Sequence, residues 1–418
     1  MNEITPHKPP NWKMLFSLIF AGEMIFGLPF HVARFFRPTL LETFSLTNTQ
    51  MGDTFAVYGI TAMICYFPGG VIADYFSARR LLTVSLISTA LGGFYYAQFP
   101  QGFELHLLFG YWGITSILLF WAGMIKATRE WGGADNQGKA FGLLDGGRGL
   151  AAALVSTLAV VIFAYSMDSG NVDNKSVSAD GMKAIIIFYS LITLLAAVFT
   201  WLFIPENERE TIEQHPWIGM KEQMQSSKVW MQALIVICAY SAFKGSDNYG
   251  LYAVQVLSLD QVEAAKFTSL TAYLRPVGAI AAGLLADRYS ASKITAWSFA
   301  GLAVMYGLLS FTWHPSVLFN LAMFNLVASY LAVFALRGVY FALVAESKIK
   351  LKVTGTAVGF ISLVGYTPDV FFASISGRLL DLAPGAKGFE YYFMLMMGFA
   401  LVGLIAAVWL NLKNNKAT

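Results

Sequence analysis

Charged side chains are scarce in this chain. They make up 13% of its 418 residues, against about 25% in soluble domains. A water-soluble protein of this size would have too few of them to cover its surface. Cysteine is nearly absent: Cys65 and Cys238 are the only two. Both sit inside apolar runs and read as small buried hydrophobes, not as a disulfide or a metal site. The formal net charge is only +3, and no basic run points to nucleic acid. No Gly-rich loop ends in Lys-Ser/Thr, which argues against ATP-driven work. The segment Met1–Lys13 is polar, and the apolar run after it is too long for a cleavable leader and lacks a small-residue cleavage site. Nothing in the sequence calls for a metal or an organic cofactor.

What is present is apolar. Hydrophobic residues are 56% of the chain, gathered in runs long enough to cross a bilayer, which takes about 20 residues. Twelve such runs are expected, at 13–36, 49–73, 80–98, 104–128, 139–166, 183–204, 229–257, 263–286, 294–312, 316–345, 354–380 and 390–411. Only helices and closed barrels satisfy their backbone groups in lipid. These runs are too long for the roughly ten-residue strands of a membrane barrel. The expected fold class is an all-α membrane protein with twelve transmembrane helices.

The polar stretches punctuate the runs. A stretch from Gly69 to Arg80 (Gly-Gly-Val-Ile-Ala-Asp-Tyr-Phe-Ser-Ala-Arg-Arg) reappears from Gly283 to Lys293 (Gly-Leu-Leu-Ala-Asp-Arg-Tyr-Ser-Ala-Ser-Lys). Gly70 to Gly283 and Asp74 to Asp287 share one offset of 213 residues, about half the chain. The domains expected are a six-helix bundle over 1–204, a charged linker over 205–228 and a second six-helix bundle over 229–418. The linker has room for a short amphipathic helix around Trp217–Met224, and residues 167–182 read as a polar outer loop. With the N-terminus placed in the cytoplasm, sixteen loop Lys and Arg residues fall on that side and four on the other. The positive-inside rule therefore predicts that both termini are cytoplasmic.

Twelve helices, cytoplasmic termini, a charged central loop and a repeated Gly-x-x-x-Ala-Asp loop together resemble the major facilitator superfamily of secondary transporters. The resemblance covers essentially the whole chain. It implies alternating access between two halves, most simply as a monomer in a bacterial inner membrane. It also implies gating roles for Asp74, Arg79, Arg80, Arg129 and Asp287, with Arg129 and the segment near Thr354 as partners of Asp74. The competing reading makes Asp74 and its arginines a solvated turn.

Ionisable residues inside the runs are expensive in lipid and mark function. Adding the 213-residue offset to His31 gives Lys244, and to Arg34 gives Asp247. Runs 1 and 7 are thus counterparts, each with an ionisable pair three residues apart, on one helical face. The resemblance puts these two helices across the central cavity from each other, with substrate between the halves. The pattern is similar to the organophosphate:phosphate antiporter branch, in which one basic residue on each of these helices clamps phosphate. Two positions depart from that branch: Lys244 stands where an arginine is expected, and Tyr66 where a lysine is. A lysine is a point charge without the planar fork, so a carboxylate or sulfonate stands beside a phosphate ester as the substrate group.

The substrate-binding candidates are Arg34, Lys244, His31, Asp247, Tyr66 and Tyr249. The bland alternatives are that Arg34 snorkels to the interface with Arg37 and that Lys244 pairs with Asp247. Glu23 and Asp369, carboxylates in otherwise apolar surroundings, are the proton-coupling candidates; each could instead be a neutral, hydrogen-bonded packing group. Asp145 and Arg148 read as the helix-5 ion-pair residues, pairing within the amino-terminal half, with Arg129 or Lys126 as available partners. The glycines at 138, 142 and 146 read as a close-packing stripe. Aromatic residues expected to border the cavity include Tyr58, Tyr111, Trp112, Trp121, Tyr273, Tyr340 and Tyr366. The function expected is movement of a small organic anion, coupled to protons or a counter-anion. The alternatives are a proton-driven exporter of amphiphilic or cationic compounds, using Glu23 and Asp247, and a membrane sensor that transports nothing.

Overall fold

Four prolines shape this molecule. The computed structural model describes residues 11–133, 137–168, 174–206, 224–311, 315–340, 342–347 and 351–415. Its helices follow the apolar runs. α1 is broken into Trp12–Met24, a π segment Gly27–His31, Val32–Phe35 and Arg37–Thr43. α2 is Asn48–Tyr75 and α3 is Ala78–Tyr96. α4 runs Phe103–Gly113, π segment Ile114–Trp121 and Ala122–Gly132. α5 is Gln137–Asp168 and α6 is Asn174–Phe203. α7 is Ser227–Gly245, a 3-10 turn Ser246–Asn248 and Tyr249–Gln255. α8 is Gln261–Thr271 with Leu274–Arg288, and α9 is Ala291–Leu309. α10 is Pro315–Val339, α11 is Leu351–Gly365 with Pro368–Leu382, and α12 is Ala386–Asn415.

Eight of these helices are long and apolar enough to cross a membrane by themselves, and the two bent ones, α1 and α2, bring the number to ten. α3 and α9 complete the set at 19 residues each. Two expectations need correction. Residues 174–182, expected in an outer loop, form the first turns of α6. The tenth run ends at Val339, and a separate short helix, Ala342–Glu346, follows it. Glu346 bonds the Ser292 amide at 2.8 Å and so caps the start of α9. Most of the linker, including residues 217–223 of the expected amphipathic helix, lies outside the described residues.

Proline cannot donate to the carbonyl four residues back, and its ring displaces that turn. In α1, Pro29 lies in the π segment, where the His31 amide reaches back to the Phe26 carbonyl, and the helix bends by 41°. Pro68 bends α2 by 54°. In α8 the Ala272 carbonyl, left free by Pro276, accepts from the Arg275 amide instead. In α11, Pro368 follows the break at Tyr366 and Thr367. Such breaks persist in membranes only where neighbouring groups satisfy the backbone again. Each lies within two residues of a polar side chain discussed below: His31, Tyr66, Arg275 and Asp369.

The two six-helix halves meet along α2–α11 and α5–α8. The first seam depends on glycine: a methyl group on Gly52 or Gly59 would collide with the backbone of α11 at Ala373 or Asp369. Ser156 and Thr157 of α5 bond Ser269 of α8 at 2.9 and 3.3 Å, and Thr157 bonds Tyr273 at 3.1 Å. At the end of the bundle away from the termini, polar contacts tie the halves together. Arg378 grips Asp53 at 2.7 Å, and Asp381 accepts from the Asn48 and Thr49 amides at 3.2 and 2.7 Å. Gln261 bridges Thr39 and Glu42.

At the end carrying the termini, the described residues leave more space around the glycines. A methyl on Gly70, Gly142 or Gly146 would meet nothing within 4 Å. Gly142 and Gly146 of the α5 stripe therefore pack no neighbour among the described residues, contrary to expectation. Close packing falls instead on Gly147 against Ile19 and on Gly149 against Arg275. Gly138 lies outside the residues whose side chains are described.

Candidate functional site

The breaks in α1, α2, α7, α8 and α11 surround a partly open cavity between the halves, with about 770 Å³ of empty space including the solvent at its mouth. Its wall carries five cationic side chains: Arg34 and Arg148 from the first half, and Lys244, Arg275 and Arg337 from the second. Glu23 and Asp369 are the carboxylates on the same wall, beside His31, Tyr66, Tyr240 and Tyr366. Tyr58 and Trp121 also line it. Tyr111 instead faces outward and Trp112 is fully buried, bonding the Thr89 carbonyl at 3.1 Å.

Two ionic clusters organise the wall. In the first, Glu23 of α1 receives His31 Nε2 at 3.2 Å, Arg148 Nε at 3.0 Å and Arg275 Nη1 at 3.3 Å. Arg275 also holds Asp145 at 2.8 Å. The helix-5 pair is thus corrected. Asp145 and Arg148 do not bond each other: Arg148 turns to α1, and Asp145 crosses to α8 in the other half. The spacing allowed a local pair, but the break before Pro276 presents Arg275 between the two carboxylates. Glu23 sits among two guanidinium groups and an imidazole, not among packing groups alone.

In the second cluster, Arg34 Nε meets Asp247 Oδ1 at 2.5 Å. These two residues are related by the 213-residue offset, so the internal repeat brings its own counterparts into contact. Lys244 Nζ lies 3.2 Å from Asp369 and 3.9 Å from Asp247. It also sits 3.9 Å from the centroid of the Phe30 ring, a cation–π contact. The Tyr240 hydroxyl donates to Asp369 at 3.0 Å. Arg34 does not snorkel: its side chain is 13% exposed and its guanidinium stacks 4.3 Å over Phe243. Arg37, also buried, bonds Asn48 at 3.4 Å.

Other expected residues lie apart from the cavity. Tyr249 is fully buried in the second half, bonded to Ser329 at 2.8 Å, so it is not in contact with the cavity. The 3-10 turn after Gly245 rotates Tyr249 away from the face that carries Lys244. Asp247 is buried behind Arg34. Arg79 and Arg80 both hold Glu206, at 3.0 and 2.5 Å, inside the first half. Asp74 and Asp287 are exposed and make no ion pair or hydrogen bond among the described residues. Lys126 bonds the Ala73 carbonyl at 3.0 Å, beside Asp74. Arg129 is exposed at the end of α4. The side chain of Thr354 lies outside the described residues.

The 213-residue register did not single out Arg275 and Arg337. Their counterparts are Ala62 and Met124, which carry no charge. The signal that marks them is simpler: each is an arginine inside an apolar run.

A two-bundle helical membrane protein with a charged cavity between the halves has the build of a transporter. A model of the Major Facilitator Superfamily matches residues 19–373. The chain belongs to that superfamily of membrane transporters and is not an enzyme. It is similar to the Inner membrane protein YihN of Escherichia coli (strain K12), at 28% identity over 414 residues, covering 96% of this chain and 95% of the relative. It is 24% identical over 305 residues to the Probable nitrate/nitrite antiporter NarK1 of Thermus thermophilus, covering 71% of this chain and 64% of that one. Among solved structures, a D-xylose-proton symporter superposes with a TM-score of 0.74 at 15% identity, over 96% of this chain and 97% of the symporter.

Proposed function

We propose that this protein is a secondary active transporter that carries a small organic anion across a bacterial inner membrane by alternating access. The observation that carries the reading is the cavity wall, where both halves contribute cationic side chains to one shared space. Charges act strongly on one another where water is excluded. A wall with more cations than carboxylates attracts an anion and repels a cation, which speaks against export of cationic compounds. The nitrate/nitrite antiporter relative also has an anionic substrate in its printed name.

In this reading both termini are cytoplasmic, so the open end faces the cytoplasm and the tied end faces outward. Glu23 and Asp369 are the carboxylates placed to carry coupling, because each holds a cation whose release would follow loss of the carboxylate charge. Asp74, Arg79, Arg80, Arg129 and Asp287 lie at the open end and would engage when it closes. His31, Arg34, Lys244 and Tyr66 line the path of the substrate. Coupling is to protons or to a counter-anion, and the working unit is a monomer.

The test is counterflow in proteoliposomes with a panel of organic carboxylates, sulfonates, phosphate esters, neutral sugars and amines, with and without a pH gradient. Uptake confined to anions, and lost in Lys244→Ala and Arg34→Ala proteins that still insert, supports the reading. Uptake of amines alone, or no movement of any compound, overturns it.

A further inference from the structure

Counting partners around the cavity leaves one cation over. Arg34 and Lys244 share Asp247 and Asp369. Arg148 and Arg275 share Glu23 and Asp145. Five cations thus face four carboxylates, and the one that makes no ion pair among the described residues is Arg337 on α10. Its Nε and Nη1 are shut off from solvent and have no hydrogen-bond partner among the described residues. Its guanidinium stacks 4.0 Å from the centroid of the Phe243 ring, with the hydroxyls of Tyr340, Tyr366 and Tyr240 around it and Asp145, already held by Arg275, acting on it only from beyond ion-pair distance. A cation–π contact of this kind returns only a small part of what burial of a charge costs. A buried charge left unpaired is strongly destabilising, so a residue in this position is costly unless something else supplies the counter-charge.

We infer that Arg337 is the docking point for the charged group of the substrate, and that this group carries a single negative charge. The inference rests on the anion-transport reading above and deepens it. A carboxylate or sulfonate on Arg337 brings the cavity to neutrality. A phosphate monoester carries close to two negative charges near neutral pH and would overshoot by one. The guanidinium suits a planar or tetrahedral oxyanion because its fork donates two parallel hydrogen bonds. Neighbouring hydroxyl groups extend the site: Tyr366 and Tyr240 share the cavity wall with Arg337, and the Tyr366 and Tyr340 hydroxyls are 3.4 Å apart. Phe243 stacks on both Arg34 and Arg337. It therefore joins the docking point on α10 to the inter-half pair on α1 and α7, so that occupancy at Arg337 is felt where the halves meet.

The test compares melting of purified wild type, Arg337→Gln and Arg337→Lys in detergent, at constant ionic strength. Acetate, methanesulfonate and inorganic phosphate at pH 8 are the probes, each against chloride. Without probe, Arg337→Gln is expected to melt about 2 °C or more above wild type, since it removes an unpaired charge. Acetate or methanesulfonate is expected to raise the wild-type midpoint saturably, to leave Arg337→Gln unmoved, and to act on Arg337→Lys in part. A general salt effect would move all three proteins alike. An equal anion response in wild type and Arg337→Gln overturns the role of Arg337 while leaving anion transport standing. A lower midpoint for ligand-free Arg337→Gln, restored in Arg337→Lys, also overturns it and makes the residue structural. A stronger response to phosphate, lost in Arg337→Gln, overturns the single charge. If no anion moves the wild type, both the inference and the transport reading fall.

Discussion

Asp247 holds two cations at once, and the pair it makes with Arg34 joins the halves at equivalent points of the repeat. Residues related by an internal axis touch only when they lie close to it, so this contact marks the centre of the molecule. Removing one partner of a buried pair leaves the other charge uncompensated, at a cost of about 3–5 kcal/mol. Asp247→Asn is therefore expected to lower the melting midpoint more than Arg34→Gln combined with Asp247→Asn. A double-mutant cycle should give a coupling of about 1–3 kcal/mol. Additive effects would mean that the pair is incidental. Glu23 differs, because it keeps Arg148 and His31 if Arg275 is lost, so Arg275→Gln is expected to act on transport before stability.

Among the elements, the proline breaks and glycine seams do different work. Pro29 allows the π segment that sets His31 and Arg34 on the cavity side of α1. In Pro29→Ala the turn can regularise and rotate those side chains. Transport is expected to fall by roughly tenfold or more from this misplacement alone, with the protein still monodisperse on size exclusion. Unchanged uptake would show that the bend is dispensable. Gly59 sits where α2 touches α11, and a valine there has no space. Overpacking of this kind costs about 1–3 kcal/mol, which falls on the state with the far end closed. Gly146 faces open space here, so Gly146→Val should leave this state alone and penalise whichever state packs the stripe. Labelling of a cysteine at Ala62 by an impermeant maleimide, in protein lacking Cys65 and Cys238, reads both. From outside, labelling should rise in Gly59→Val and fall in Gly146→Val.

At the scale of the whole molecule, the polar latches between the halves lie at one end among the described residues. Asp381 of α11 accepts from the first amides of α2, which makes it a helix cap supplied by the opposite half. Capping side chains contribute about 0.5–2 kcal/mol, so their loss shifts a two-state population by roughly 2- to 30-fold. Asp381→Ala is expected to enrich the state with the far end open, seen as longer spin-label distances between Thr43 and Val256 positions. An unchanged distance distribution would show that the α2–α11 seam closes that end without the cap. Arg378 and Asp53 are more exposed, and exposed pairs contribute little, so Arg378→Ala should act less than Asp381→Ala.

The class of the fold was legible in the chain alone, because apolar runs of bilayer length leave no other solution for the backbone. So was the register between halves: two copies of one loop 213 residues apart led from Arg34 to Asp247 before their contact was known. The set of ionisable residues in apolar runs was equally visible, Arg275 and Arg337 included. Which carboxylate would serve which cation was not. That choice turns on differences of about an ångström between helices more than a hundred residues apart, and on breaks at Pro29, Pro276 and Pro368 that re-aim the side chains beside them. Asp145 and Arg148 were both expected to pair within the first half, yet the packing of α5 against α1 and α8 kept Arg148 there and sent Asp145 to Arg275 of the other half. The 3-10 turn after Gly245 took Tyr249 out of the cavity. Only the folded arrangement pairs off four cations and leaves Arg337 without an ion pair among the described residues, because electrostatic pairing depends on distance in space and is blind to distance along the chain.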